Sequence, residues 1–412
     1  MTCLWGVCPY AVVVIESAAA ALRRCPERLE TVKRFYLPTK IITDLGCFSQ
    51  LPGIVRALGE QALLVCGRHS LRRSGVLDRA LRDLQEAGVR ATVYDAVQGE
   101  PTLDVVQAAV DQARQAQVEV IIGIGGGSAM DVGKATAVLC NKEGTVQEYH
   151  GGRPISEPGL ACVCVPTTAG TGSEVTNNAV LTDAERGVKK SIRGVHVFPR
   201  VAIVDPELTL SLPPETTASS GADALCQAIE AFMAIGAQPA TDALSAQAIR
   251  RIGRSLLRAY EEGSDVGART DMLYGSLLAG MSMTNTRLGG AHGLAHPLGF
   301  HYHIPHGVVC GLLLPYVMEH SLEYASEKYA EVAQLLGADT QGMSPKEAAQ
   351  QAVAAVRGLI RRIGIPDRLR VFGLQREHFP AIIAESLPSA NVRNNAMPLE
   401  ADDLQVILEH AL

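Results

Sequence analysis

"VEVIIGIGGGSAMDVGKATAVL" (118–139) runs from an unbroken apolar stretch through a cluster of glycines into a segment with helical character. The apolar stretch lacks alternation, which predicts a strand buried on both faces. Gly125, Gly126, Gly127 and Ser128 form the junction. Residues without side chains let a backbone approach an anion closely, and a following helix N-terminus adds free N–H groups and a positive dipole end. In chemical terms this is a pyrophosphate cradle, with Gly126 expected at a backbone position of positive φ. It is neither GxGxxG nor GxxxxGK[ST]. On this segment alone, a tight strand-to-helix turn is the competing reading.

Working outward, "ALLVC" (62–66), "ATVYD" (91–95), "LACVCVP" (160–166) and "VAIVD" (201–205) read as further strands. "LDVVQAAVDQARQA" (103–116) has apolar residues at helical spacing. Such alternation predicts a largely parallel sheet covered on both faces. "AVLTD" (179–183) and "KKSIR" (189–193) flank a polar turn and predict a hairpin. After "DPELTLSLPPE" (205–215) the patterns become long and helical, as in "TDMLYGSLLAGMSMTNT" (270–286) and "MSPKEAAQQAVAAVRGLIRRIGIP" (343–366). The expected organisation is an N-terminal extension over 1–34, an α/β domain over 35–210 and an all-helical domain over 211–412.

The totals fit a soluble globular protein. Of 412 residues, 47% are hydrophobic and 19% charged, with a net charge of -6. That balance leaves no basic footprint for nucleic acid or an anionic membrane, and 4% aromatic content argues against a base-stacking surface. Ten cysteines include no CxxC pair, so they read as thiols of a reducing compartment, the cytoplasm. The opening "MTCLWGVCPYAVVVIESAAAALRR" has an apolar run too short to span a bilayer and no basic n-region.

Three more segments carry chemistry. "VPTTAGTGSEVTNNAVLTD" (165–183) crowds Thr167, Thr168, Thr171, Ser173 and Thr176 around two glycines, offering hydroxyls to a sugar or phosphate. In "SSGADALCQAIEAF" (219–232), Asp223 and Gln227 stand at i and i+4 on one helix face. "HGLAHPLGFHYHIPH" (292–306) holds five of the chain's eleven histidines, a density that favours a metal or proton-transfer site. His292 and His296 share a face if helical, with a kink or break expected at Pro297.

Together, "GGGSAMDVGK", "PTTAGTGSEVT", "VDPELTLSLPPETTASSGADAL" and "GGAHGLAHPLGFHYHIPHG" resemble the iron-containing (group III) alcohol dehydrogenase family from about residue 35 to the C-terminus. The resemblance implies an α/β dinucleotide-binding domain followed by a helical metal- and substrate-binding domain. It places Gly125, Gly126, Gly127, Ser128 and Asp131 at the cofactor, Thr167, Thr168 and Thr171 along its cleft, and Lys189 near the ribose. Asp223, Gln227, His292 and His306 fall on the metal positions, and His296 falls beside the substrate. His301 and His303 receive no task. Gly67 occupies a place where NAD-preferring relatives often carry aspartate, so Gly67 leaves room for a 2′-phosphate and Arg68 can pair with it.

The implied reaction is hydride transfer between NADP or NAD and an alcohol/aldehyde pair, assisted by Fe²⁺ or Zn²⁺ as a Lewis acid, in a homodimer or higher homo-oligomer. One departure matters: the family usually carries histidine where this chain has Gln227. Weak metal retention is therefore expected, unless His303 or another group takes over the missing position. Alternatives are a metal-independent reductase of the maleylacetate reductase type, a lyase of the dehydroquinate synthase type, and a cofactor-binding relative that has lost turnover.

Overall fold

Strands β2 (Gln61–Gly67), β3 (Arg90–Val97), β4 (Val120–Gly125), β5 (Ala161–Pro166) and β8 (Val201–Val204) coincide with the five apolar runs. They belong to a computed structural model that describes residues 33–412, in which Phe35–Leu412 form one compact unit. The reading of the first 32 residues as an extension lies outside the described residues. A sixth strand, β1 (Lys40–Thr43), was not anticipated; its four residues are too few for a pattern, and Lys40 is exposed. The six strands run parallel in the order β1-β8-β5-β4-β2-β3.

Continuous apolar character follows from burial on both sides. In β4 all six residues are buried. Successive side chains face opposite cores: Leu63, Val65 and Ile121 join the helices Leu103–Gln115 and Gly127–Leu139, while Leu64, Ile122 and Val163 meet Phe48, Leu51 and the helix Val76–Glu86. The helix Gly127–Leu139 lies unusually close to β4. A Cβ on Gly123 would stand 3.2 Å from Met130 Cα, and one on Gly133 would stand 3.2 Å from Gly123 Cα. Two glycines, one on each element, permit that approach and fix where the helix N-terminus points.

The predicted hairpin forms as β6 (Asn178–Asp183) and β7 (Val188–Arg193), paired antiparallel in a separate two-stranded sheet. Beyond Pro214 the described structure contains helices and no strands. The helix Gly290–Tyr302 differs from expectation, because it continues through Pro297. Proline in a helix interior costs about 3 kcal/mol. Ala291, Leu294, Ala295 and Leu298 are all buried in the core, and together their burial exceeds that cost. The helix ends instead at His303, which adopts φ 52° and ψ 34°.

Candidate active site

Strand order alone places a crevice. β3 lies on one side of β2, and β4 lies on the other, so the chain reverses direction across the sheet between β2 and β4. Ligands of open parallel sheets bind outside the carboxyl ends of strands at such a point. Gly67 ends β2 and Gly125 ends β4.

Gly126 is the N-cap of the helix Gly127–Leu139, and no side chain caps that helix. Its first N–H groups therefore point out without a side-chain acceptor, as an anion site requires. The expected positive φ belongs to Gly125, at 148°, and not to Gly126, at -76°. A Cβ on Gly126 would meet only Thr168, at 3.4 and 3.5 Å, so the space above this residue is open. The loop thus fits a dinucleotide pyrophosphate.

Asp131, one turn into the helix, lines the same cavity, but its oxygens are engaged. Oδ1 accepts from Ser173 Oγ at 2.6 Å and lies 3.0 Å from Lys134 Nζ, and Oδ2 accepts from the Val180 N–H at 2.9 Å. Asp131 therefore ties the threonine-rich loop and the hairpin to the glycine helix. Thr167 is held similarly, its N–H donating to Gly125 O at 2.9 Å.

The helical half supplies a second cluster. Asp223 and Gln227 come from the helix Pro214–Met233, His292 and His296 from the helix Gly290–Tyr302, and His306 opens the helix His306–Ser321. Asp223 Oδ1 lies 3.3 Å from His292 Nε2 and 3.8 Å from His306 Nε2. Gln227 Nε2 donates to Asp223 Oδ2 at 2.9 Å, which leaves the buried Gln227 Oε1 without a partner. Behind His292, Glu230 Oε2 stands 2.6 Å from Nδ1, while Glu230 Oε1 accepts from the Ala291 N–H at 2.7 Å. A carboxylate on the far nitrogen fixes the ring so that Nε2 faces the cluster.

Charge in this cluster is poised for a cation. Burial pushes the His292 ring down, but Cys310, Glu230 and Asp223 outweigh it and hold His292 well above the ordinary imidazole range. His306 follows the same logic, with burial overcome by Cys310 and Asp223. Burial also dominates at His296, where the positive His306, Lys189 and His292 act in the same direction and hold it well below that range. His296 is therefore neutral, and its buried Nδ1 has no partner. Its ring stacks on His306 with centroids 5.5 Å apart. The residues present fit a divalent metal.

The chain belongs to the iron-containing alcohol dehydrogenase family. The model described as "Iron-containing alcohol dehydrogenase" matches residues 38–206, and "Fe-containing alcohol dehydrogenase family, C-terminal" matches residues 217–412. The chain is 37% identical over 369 residues to 1,3-propanediol dehydrogenase of Klebsiella pneumoniae, covering 87% of this chain and 95% of the relative. It is 35% identical over 361 residues to lactaldehyde reductase of Escherichia coli K12, covering 87% and 94% respectively. Among solved structures, a 1,3-propanediol oxidoreductase superposes with a TM-score of 0.90 at 37% identity, covering 93% of this chain and all of that one. The sulfoacetaldehyde reductase from Bifidobacterium kashiwanohense in complex with NAD+ gives 0.85 at 32% identity, covering 92% and 99%. This iron-containing alcohol dehydrogenase is an NAD(P)-dependent oxidoreductase of alcohols and their aldehydes or ketones.

In this family member, one cavity of about 1260 Å³ brings together Gly127, Ser128, Asp131, Thr171, Lys189, Asp223, Gln227, His292, His296 and His306. Gly67, Arg68, Gly125, Gly126, Thr167 and Thr168 do not line it. Lys189 pairs with Glu100 at the cavity wall. His303 lines the cavity as well, whereas His301 is drawn away to Glu385 at 2.9 Å. Glu230 and Cys310 were missed from sequence. Glu230 follows Asp223 and Gln227 at i+7 and i+3, and Cys310 follows His306 at i+4. Helical spacing extended by one turn would have found both.

Buried Glu174 lies in the threonine-rich loop with no partner for Oε1. Burial raises its carboxyl from 4.5 to about 7, opposed by its own backbone N–H and by Lys134. Its folded pKa exceeds its unfolded one, so its contribution to stability is full below about pH 4.5 and is lost as pH rises through about 7. The loss runs at about 1.4 kcal/mol per pH unit between those limits. Thermal unfolding should show wild type losing stability between pH 5 and pH 8 more steeply than Glu174→Gln does. Parallel curves for the two proteins would count against this assignment.

Proposed function

We propose that the cavity performs metal-assisted, reversible reduction of a small aldehyde. Asp223, His292 and His306 hold Fe²⁺ or Zn²⁺, Gln227 stands beside them, and His296 carries the proton. The observation that carries this reading is the convergence of the glycine-helix N-terminus and the Asp223–His292–His306 group on one cavity. When bound, the nicotinamide supplies the hydride and the metal polarises the carbonyl oxygen. Gly125, Gly126, Gly127 and Ser128 bind the pyrophosphate, with Thr167, Thr168, Thr171 and Lys189 along the cofactor cleft, and Asp131 holds that cleft in shape. Neutral His296 accepts the alcohol proton at Nδ1 in the oxidative direction and returns it in the reductive one. The substrate class follows from relatives acting on 1,3-propanediol and lactaldehyde. We place the boundary between cofactor-binding and metal-binding parts at 210/211.

The same reading makes the protein cytoplasmic and homo-oligomeric. All seven described cysteines are free thiols, as a reducing compartment favours. β1 is an edge strand with exposed Phe35 and Tyr36 nearby, a suitable pairing edge. No helix among the described residues is long and apolar enough to cross a membrane.

NADPH should be used at least as well as NADH. A Cβ on Gly67 would meet nothing closer than Val97 O at 3.6 Å. With the Gln98 amide turned so that its oxygen faces Arg68, the guanidinium donates to it from Nε at 2.9 Å and from Nη1 at 3.0 Å. A neutral anchor of this kind holds Arg68 without cancelling its charge. The test is steady-state oxidation of both cofactors with a panel of small aldehydes and keto acids, on metal-analysed protein. Arg68→Ala should lower kcat/KM for NADPH about tenfold, the size of one charge-assisted bond, and leave NADH unchanged. A preference for NADH that Arg68→Ala does not alter would refute the cofactor assignment. Cofactor binding without turnover of any aldehyde would refute the activity.

A further inference from the structure

Gln227 stands where the family usually presents a third imidazole, and its amide is turned to Asp223. Cys310 belongs to the same cluster. It follows His306 by one turn of the same helix, is fully buried, and its Sγ stands 3.6 Å from His306 Nε2. Ligand atoms of Asp223, His292, His306 and Cys310 all lie within 4.8 Å of one another. Their spacing has the dimensions of a coordination polyhedron. Bonds of about 2.3 Å to sulfur and about 2.05 Å to nitrogen or oxygen, at the tetrahedral angle, give edges of about 3.6 Å for S···N and about 3.3 Å for N···O. The observed Cys310 Sγ to His306 Nε2 and His292 Nε2 to Asp223 Oδ1 separations are 3.6 and 3.3 Å. A third edge, His306 Nε2 to Asp223 Oδ1, is wider at 3.8 Å, and the other three lie within 4.8 Å.

We propose that Cys310 is a metal ligand of this protein, its thiolate replacing the missing imidazole, so that the ion is held by Asp223, His292, His306 and Cys310. This rests on the metal reading of the site given above. Gln227 then stays outside the ligand set. Cys226, the other sulfur nearby, is not equivalent. It approaches His292 from Nδ1, at 3.7 Å, on the side occupied by Glu230, and so lies behind the ring. Binding forms one metal–sulfur bond and releases the thiol proton, with no change of oxidation state. An inert core thiol would be the ordinary role of a buried cysteine. The spacing of the donor atoms sets this one apart.

The experiment is titration of the chelator-treated full chain with Co²⁺, reading metal stoichiometry and the near-ultraviolet thiolate-to-cobalt charge-transfer absorption. Wild type should bind one ion per chain with that absorption present. Cys310→Ser should abolish the absorption and weaken Co²⁺ affinity by at least about tenfold, while Cys226→Ala keeps both and Gln227→Ala keeps the absorption. Stoichiometric Co²⁺ without the absorption in wild type would overturn the proposal. So would absorption that survives Cys310→Ser or disappears in Cys226→Ala. If Cys310→Ser does not fold, wild type and Cys226→Ala decide the matter alone. Failure of wild type to take up any stoichiometric ion would instead remove the metal site itself.

Discussion

His292→Ala should eliminate metal-dependent turnover, lowering kcat/KM by about a thousandfold or more, because Lewis-acid assistance contributes several kcal/mol. Metal affinity should fall by more than about 100-fold, since even partners outside the ligand set are worth 10- to 100-fold. The same change should also destabilise the protein. His292 Nδ1 is the partner of Glu230 Oε2 at 2.6 Å, and both side chains are almost wholly buried. Removing one member of a buried pair strands the other charge, at a cost of about 3–5 kcal/mol. His306→Ala separates the two effects. Its side chain is 27% exposed, and its buried partner Asp223 keeps His292 and Gln227, so no buried charge is left unpaired. Chelator-treated His306→Ala should therefore melt close to chelator-treated wild type, while losing metal as fully as His292→Ala. Full activity in either variant after metal removal would move the protein to the metal-independent class of reductases.

The α/β half was legible because its signals are local. β4 is buried on both faces, so its sequence is a continuous apolar run, and Gly125–Ser128 mark the turn into the helix that follows. β1 carries no such mark, being short and at the sheet edge. The histidine density pointed to the cluster, but no spacing in the sequence could reveal which histidines converge. His292, His296 and His306 gather because one helix continues through Pro297 and the next begins at His306, whereas His301 turns outward to Glu385. Glu230 acts only through His292, contributed by another helix 62 positions away. Cys310 reads as an apolar residue in a pattern of burial, its i+4 spacing from His306 is its one sequence signal, and its distance to His306 places the sulfur among ligand atoms. Gly126 shows the opposite failure. The glycine was singled out for a backbone conformation that Gly125 adopts instead.

That difference at Gly126 sharpens what substitution there should do. With φ at -76° the position accepts a side chain without backbone strain, and a Cβ would meet only Thr168 at 3.4 Å. The fold then loses only the preference of an N-cap for glycine over a branched residue, about 1 kcal/mol. Binding loses much more. A valine at the cap fills the space through which a pyrophosphate reaches the N–H groups of the first helical turn, and two or three charge-assisted bonds are worth at least about 3 kcal/mol together. Gly126→Val should therefore weaken NADPH binding about 100-fold or more while the melting temperature falls by only a few degrees. Gly126→Ala should lie between wild type and valine in affinity and remain near wild type in stability. Titration of cofactor fluorescence, with unfolding of the same samples, reads both quantities. A loop with a purely structural role would give the reverse order: a large fall in melting temperature and unchanged affinity in the protein that remains folded. The distinction rests on one geometric fact, that a Cβ at Gly126 would meet only the side chain of Thr168.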